Sequence, residues 1–381
     1  MRLFRFELGK LFRLPMLWGF LALSLALNGL FLMTGIHGRP WYTYVASVLP
    51  VTFQRTDDPA FAAGLDTLPA EEFREVLRAQ AAQPRNVFDG MDAAAVGQAQ
   101  AGLLGVTGKW ADIFARKYEA YQPVADEIAA SGDAYDVYAA EATHDYQVFL
   151  IGVICHAALT ESLLLAVLLT LYAFGCEEQN HTDLLVFSTR AGRALNRYKL
   201  AAALCASLLC CLLLYLLTLV PFALLYRLRD FLSMHVSSSF NYILVGVARF
   251  PFMVWKPFRL AGYLGASLAL GLALVAVFVL GAAVCGLLLR NTYLAFLLWF
   301  TVSVGSLALP MLCADAKIWG GYFLGLCLPV PVWLGQQEWF TVQGISTFLP
   351  WQETVCTFAN LAVFAVLVLL AARRFRRKDL G

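Results

Sequence analysis

Residues 177–199 read EEQNHTDLLVFSTRAGRALNRYK and lie between two apolar runs, Val148–Phe174 and Leu200–Tyr226. A helix needs about 20 apolar residues to cross a bilayer, and each run exceeds that length. The polar stretch is therefore a loop that joins two membrane spans on one side of the bilayer. It opens with Glu177 and Glu178 and closes with Arg190, Arg193, Arg197 and Lys199. Between them lie Leu184, Leu185, Val186 and Phe187, apolar but too few to cross. This pattern predicts a short helix with Thr182 as N-cap and Asp183 in its first turn, where a carboxylate suits the helix dipole. Two readings are open. Either the loop is an interfacial connector whose basic residues fix orientation, or its helix docks a cytoplasmic partner.

The same logic extends outward. Of 381 residues, 60% are hydrophobic and only 14% are charged, with a mean hydropathy of +0.68. Soluble domains carry about 25% charged residues, so the fold class is an all-α integral membrane protein. Pro15–Gly35, Leu260–Leu289, Thr292–Cys313 and Val355–Ala372 bring the expected spans to six. The first is longer than the apolar region of a cleaved signal peptide and reads as a retained span. Upstream of it, Phe4, Leu8 and Leu11 share one helical face, with Arg2, Arg5, Lys10 and Arg13 opposite. That is the pattern of a helix lying in the membrane interface. Glu7 falls near the apolar side, within reach of Lys10 three residues on. Residues 318–335 are apolar but broken by Gly320, Gly321, Gly325, Pro329 and Pro331, which predicts re-entrant half-helices and not a span. Trp319, Trp333, Trp339 and Trp351 suit the membrane–water boundary.

Residues 36–147 form a polar insert with 16 acidic and 8 basic side chains, a net charge of −8. It reads as mainly helical. Pro69, Glu71 and Glu72 mark a helix start, and Phe73, Val76 and Leu77 follow at helical spacing. Trp110, Ile113, Phe114 and Tyr118 form a second stripe, read as core before ligand site, and Pro123 is expected to end or kink that helix. The chain thus divides into 1–35 (interfacial helix and first span), 36–147 (insert) and 148–381 (membrane domain). The last contains the loop 175–199 and the broken segment 318–335.

Six spans put both termini on one side, together with residues 175–199 and Arg290, and that side holds 14 basic residues. The positive-inside rule places it in the cytoplasm and the acidic insert outside. One loop resists the rule: Arg227–Arg259 carries five basic residues and only Asp230, yet falls on the outer side.

Enzyme constellations are missing from the sequence. It has no HExxH, GxSxG or CxxC, and neither Gly9–Lys10 nor Gly108–Lys109 has the glycine and hydroxyl spacing of a phosphate-binding loop. The expectation is a non-enzyme with no metal, no cofactor of its own and no nucleic-acid partner. The nine cysteines lie outside the insert, and most sit in apolar runs as small hydrophobes. Glu161 stands near the middle of the second span. A carboxylate facing lipid costs a few kcal/mol, so it faces protein or a wet cavity, as part of a translocation path or as one end of an interhelical hydrogen bond.

The wording Glu177–Glu178, then Thr182–Asp183–Leu184–Leu185, then Ser188–Thr189–Arg190–Ala191–Gly192–Arg193, then Lys199, carries a resemblance. With the amphipathic N-terminus, the broken segment before the last span and the basic tail, the chain resembles the permease (transmembrane) subunit of a bacterial type-2 ABC exporter. It is of the sort with a large extracytoplasmic insert after the first span, although residues 36–147 themselves match no known pattern. The resemblance implies a homodimer, or a pairing with a second permease, in the bacterial cytoplasmic membrane with both termini cytoplasmic. It implies a separate ABC ATPase subunit that holds ATP and Mg. The ATPase-coupling residues would be Glu177, Glu178, Thr182, Asp183, Leu184, Leu185, Phe187, Arg190 and Arg193, with Glu161 in the path. Two rivals stand beside it: a stand-alone secondary transporter or channel using Glu161 as its ion site, and a membrane-anchored sensor whose insert binds a ligand.

Overall fold

The computed structural model describes residues 2–48, 55–67, 71–182, 185–186, 192, 195–245, 248–289, 291–343 and 347–377. Six helices are long and apolar enough to cross a membrane: Pro15–Thr34, Ala140–Gln179, Leu195–Leu225, Leu260–Leu288, Thr292–Asp315 and Gln352–Phe375. Helices are the natural form for such segments, since a helix pairs its backbone groups within itself where no water is present. The expected spans are recovered within a few residues, except that the second extends further at its N-terminal end. It opens with a short 3-10 turn, Ala140–Ala142, and the helix Thr143–Gln147, and passes through a π-helical stretch, Val148–Cys155, into the α-helix His156–Gln179. The third span runs through Pro221 to Leu225 and does not stop at the proline.

The fourth span is the central helix, with 61% of its most apolar window buried, against 11% for the fifth. Small residues recur at Gly262, Ala266, Ala269 and Ala273, a spacing that would permit close helix packing; Ala266 packs against the core, but Gly262 and Ala269 are exposed and do not make such contacts. Other glycines do. A Cβ on Gly281 would run into the Trp299 ring, and one on Gly286 would lie 2.9 Å from Phe174.

The insert carries helices Arg39–Val48, Pro59–Gly64, Glu71–Ala82, Ala93–Leu104, Lys109–Glu119 and Gln122–Ser131. Phe114 and Tyr118 are fully buried in its core, as the stripe predicted, with Phe88, Tyr121 and Ile128. Pro123 neither ends nor kinks that helix. The helix stops at Glu119, and Pro123 stands in the first turn of the next one, where a missing N–H costs nothing.

The basic loop is not helical throughout. Tyr242–Val245 and Ala248–Pro251 form an antiparallel hairpin, a departure from the all-α expectation. Tyr, Ile, Leu and Val suit a strand, and Phe250 and Pro251 face them across the ladder. The loop packs on the insert. Met253 and Trp255 join the insert's core. His235 reaches Asp136 at 2.8 Å and Asp133 at 3.3 Å. Its basic side chains are also locally engaged, with Arg227 pairing Asp230 at 2.7 Å and Arg249 lying 4.6 Å over the Tyr242 ring. Loop and insert are therefore packed together, through a shared apolar core and through His235 on Asp133 and Asp136.

Candidate functional site

Two polar clusters sit where the apolar sequence makes them expensive. The first is at the end of the second span. Glu177 is in the last turn of its helix, Lys199 in the first turns of the next, and Lys10 at the end of the N-terminal helix Arg2–Phe12. Glu177 Oε1 accepts from Lys10 Nζ at 3.0 Å, and its Oε2 accepts from Lys199 Nζ. Lys199 is fully buried and Glu177 is 6% exposed. Glu7 adds a second carboxylate 3.6 Å from Lys10. One buried carboxylate thus holds three elements together, and its desolvation is offset by two ammonium groups.

The loop beyond Glu177 turns sharply. Thr182 donates through its backbone N–H to the Glu177 carbonyl at 2.8 Å, and Val186 N–H donates to the Thr182 carbonyl at 2.9 Å. The Thr182 hydroxyl also points back, donating to the Glu177 carbonyl at 3.3 Å, and does not act as the expected N-cap acceptor among the described residues. His181, just before it, takes a positive φ of 53°. Leu185 is helical and 72% exposed. Glu178 is half-buried, with its Oε2 enclosed. Asp183, Leu184, Phe187, Arg190 and Arg193 lie outside the described residues. Of the expected coupling residues, Glu177 therefore faces inward and Leu185 outward.

The second cluster is in the bilayer-spanning region. Glu161 is 6% exposed, facing protein as its cost in lipid requires. Asn28 of the first span donates from Nδ2 to Glu161 Oε2 and to Thr218 Oγ1 of the third span, each at 2.9 Å. Ser24 is buried one turn away from Asn28. Among the described residues, no donor meets the buried Glu161 Oε1 or Asn28 Oδ1, although Ser24 lies close enough to act on the Glu161 carboxylate. Asn28 was missed by the sequence reading, although an asparagine inside a largely apolar span is the signal that could have found it. His156 belongs to another group: its ring stacks on Trp333 and its Nδ1 pairs with Gln336 Oε1 at 3.0 Å.

Near the other ends of the spans, the broken segment forms two short helices, Trp319–Leu326 and Pro329–Leu334. Trp110 of the insert packs on Phe323 with ring centroids 5.3 Å apart. Trp333 donates to Thr160 Oγ1 at 3.0 Å. The segment is thus fastened both to the insert and to the second span.

No family model, no curated protein and no solved structure matches this chain.

Proposed function

We propose that the chain is the membrane-spanning permease subunit of an ATP-driven exporter, working as a dimer with a separate ATPase. The observation that carries this reading is the buried Lys10–Glu177–Lys199 cluster directly behind the exposed turn at Leu185. A partner pushing on that turn would move Glu177. Breaking a buried ion pair by removing one partner costs about 3–5 kcal/mol, so the two lysines would move with it. The push then reaches the N-terminal helix and two spans at once. On this reading the N-terminal helix lies along the inner leaflet, the two short helices are re-entrant at the outer mouth, and the insert is extracytoplasmic. The chemistry stays in the ATPase, and this chain moves.

The test is purification of the chain with its ATPase, followed by ATP hydrolysis and transport in vesicles. Leu185→Asp should leave the protein inserted and lower ATPase stimulation severalfold. Unchanged stimulation would count against the docking role.

The undonated Glu161 Oε1 favours one second reading, a proton- or ion-coupled transporter working alone. Flux through the purified chain without ATP, lost in Glu161→Gln, would support it.

A further inference from the structure

The end of the first short helix meets the last span through two cysteines. Cys327 closes the helix Trp319–Leu326, and Cys356 lies in the first turns of Gln352–Arg377. Asn360, one turn further along the span, donates from Nδ2 to the carbonyls of Cys327 and Cys356, each at 2.7 Å. Two carbonyls that share one amide nitrogen lie close together, so Asn360 holds the two backbones side by side. The thiols face each other across this contact, close enough to share a hydrogen bond. Cys327 Sγ also donates to the Phe323 carbonyl at 3.4 Å, which leaves its sulfur to accept from Cys356. Both thiols are free.

Packing alone accounts for a single cysteine in an apolar span, where it serves as a small hydrophobe. A pair in contact can do more. A disulfide closes only where the Cα atoms lie within about 7 Å and the side chains converge. Thiols that already touch, on backbones tied by one asparagine, meet that demand by side-chain rotation. The loop that such a bond would close carries the second short helix, Pro329–Leu334, and the turn Gln336–Glu338. A reagent has a way in. Cys327 is half-buried while Cys356 is buried, and Leu326 beside Cys327 lines a cavity of about 420 Å³. Cys327 is therefore the thiol that meets a reagent first. The insert packs on the same helix through Trp110 and Phe323. With the insert extracytoplasmic, the pair stands toward the oxidising side of the membrane. The contact itself does not depend on that placement.

We propose that Cys327 and Cys356 form a thiol–disulfide site, at which an external disulfide drives formation of a bond that clamps the short helices to the last span. The Cys327 thiolate attacks one sulfur of the reagent RS–SR, forming Cys327–S–SR and releasing RS⁻. The Cys356 thiolate then attacks Cys327 Sγ, breaking the mixed disulfide and releasing the second RS⁻. The two cysteine protons end on the two released thiolates, and two electrons pass from the protein sulfurs to the reagent. A reducing thiol reverses both steps. The closed bond stabilises the fold chiefly by restricting the unfolded chain between the two cysteines. The site stands apart from the export reading and survives its failure.

The experiment uses the purified full chain in detergent, treated with cystamine as the disulfide and then with N-ethylmaleimide to block the remaining thiols. Chymotryptic peptides are read by mass spectrometry, because no Lys or Arg lies between Lys317 and Arg373 to separate the two cysteines. The expected result is a peptide pair joined through Cys327 and Cys356, and a Tm higher by about 3–6 °C than in dithiothreitol. Cys327→Ser and Cys356→Ser should each remove both the linked pair and the Tm gain, with Cys356→Ala as a second substitution at the buried position. The linked pair is read in the native chain, so the result stands whether or not a variant folds. Recovery of both residues as maleimide adducts after cystamine, a cysteamine adduct left on Cys327, a link to any other cysteine, or a linked pair without a Tm gain would overturn the proposal.

Discussion

Glu177 and Lys199 form a buried pair whose halves depend on each other. Lys199→Met leaves Glu177 buried with only the partly exposed Lys10, and should cost about 3–5 kcal/mol in unfolding of the purified protein. The double variant Lys199→Met with Glu177→Met should recover most of that loss. Glu338 gives a pH prediction. Burial pushes its folded carboxyl up to about 7, above the ordinary 4.5, with the charge of Lys117 opposing. Between those values the folded state binds more protons than the unfolded one, so stability falls as pH rises through that window. The slope for one full proton is about 1.4 kcal/mol per pH unit. Lys117 has the opposite tendency, since burial lowers its ammonium well below the usual range. Glu338→Gln isolates the carboxylate's share and should flatten the fall, as read from Tm at pH 5 and pH 7.5. At this scale the sequence was informative about cost and silent about partners. Glu161 was legible as a carboxylate that must be sheltered, and Glu7 as a neighbour of Lys10. That Glu177 would meet Lys10, 167 positions away, depends on how helices pack and not on local spacing.

Elements were easier to read than their contacts. Every span announced itself, because 20 or so apolar residues have few other uses. What failed was finer. The strand pair Tyr242–Val245 and Ala248–Pro251 lacked a strong turn signal, and it meets the insert at Tyr242, whose carbonyl pairs with His144 Nδ1 at 2.7 Å. Pro123 was assigned to the wrong helix, since a proline marks a start as readily as a stop. The exposed row of small residues misled because it took frequency for contact. Gly281 is the residue that matters there. Gly281→Ala drives a methyl into the Trp299 ring and should cost about 1–3 kcal/mol, measured as a fall in Tm of the purified protein. In the insert, Phe114→Ala should cost about 3–5 kcal/mol, and limited proteolysis should then cut 71–131 before the spans.

At the scale of the whole molecule, the packing joins segments that the charge pattern alone does not connect. The loop that broke the positive-inside count is bound to the acidic insert through His235, Asp133 and Asp136. The five basic residues of that loop, Arg227, Arg229, Arg249, Lys256 and Arg259, still run against the positive-inside count. With the insert on one side, the Lys10–Glu177–Lys199 cluster is on the other, near the N-terminus and the loop at Leu185. That geometry leaves one exposed turn behind which three elements are locked together. The central claim is that energy enters there from another chain. The most direct measurement is ATP hydrolysis by a purified complex of this chain with a partner ATPase in vesicles, comparing the native chain with Leu185→Asp. The account predicts hydrolysis that the native chain stimulates severalfold and the variant does not, with both chains inserted equally. Substrate flux by the chain alone, driven by an ion gradient and indifferent to Leu185→Asp, would contradict it.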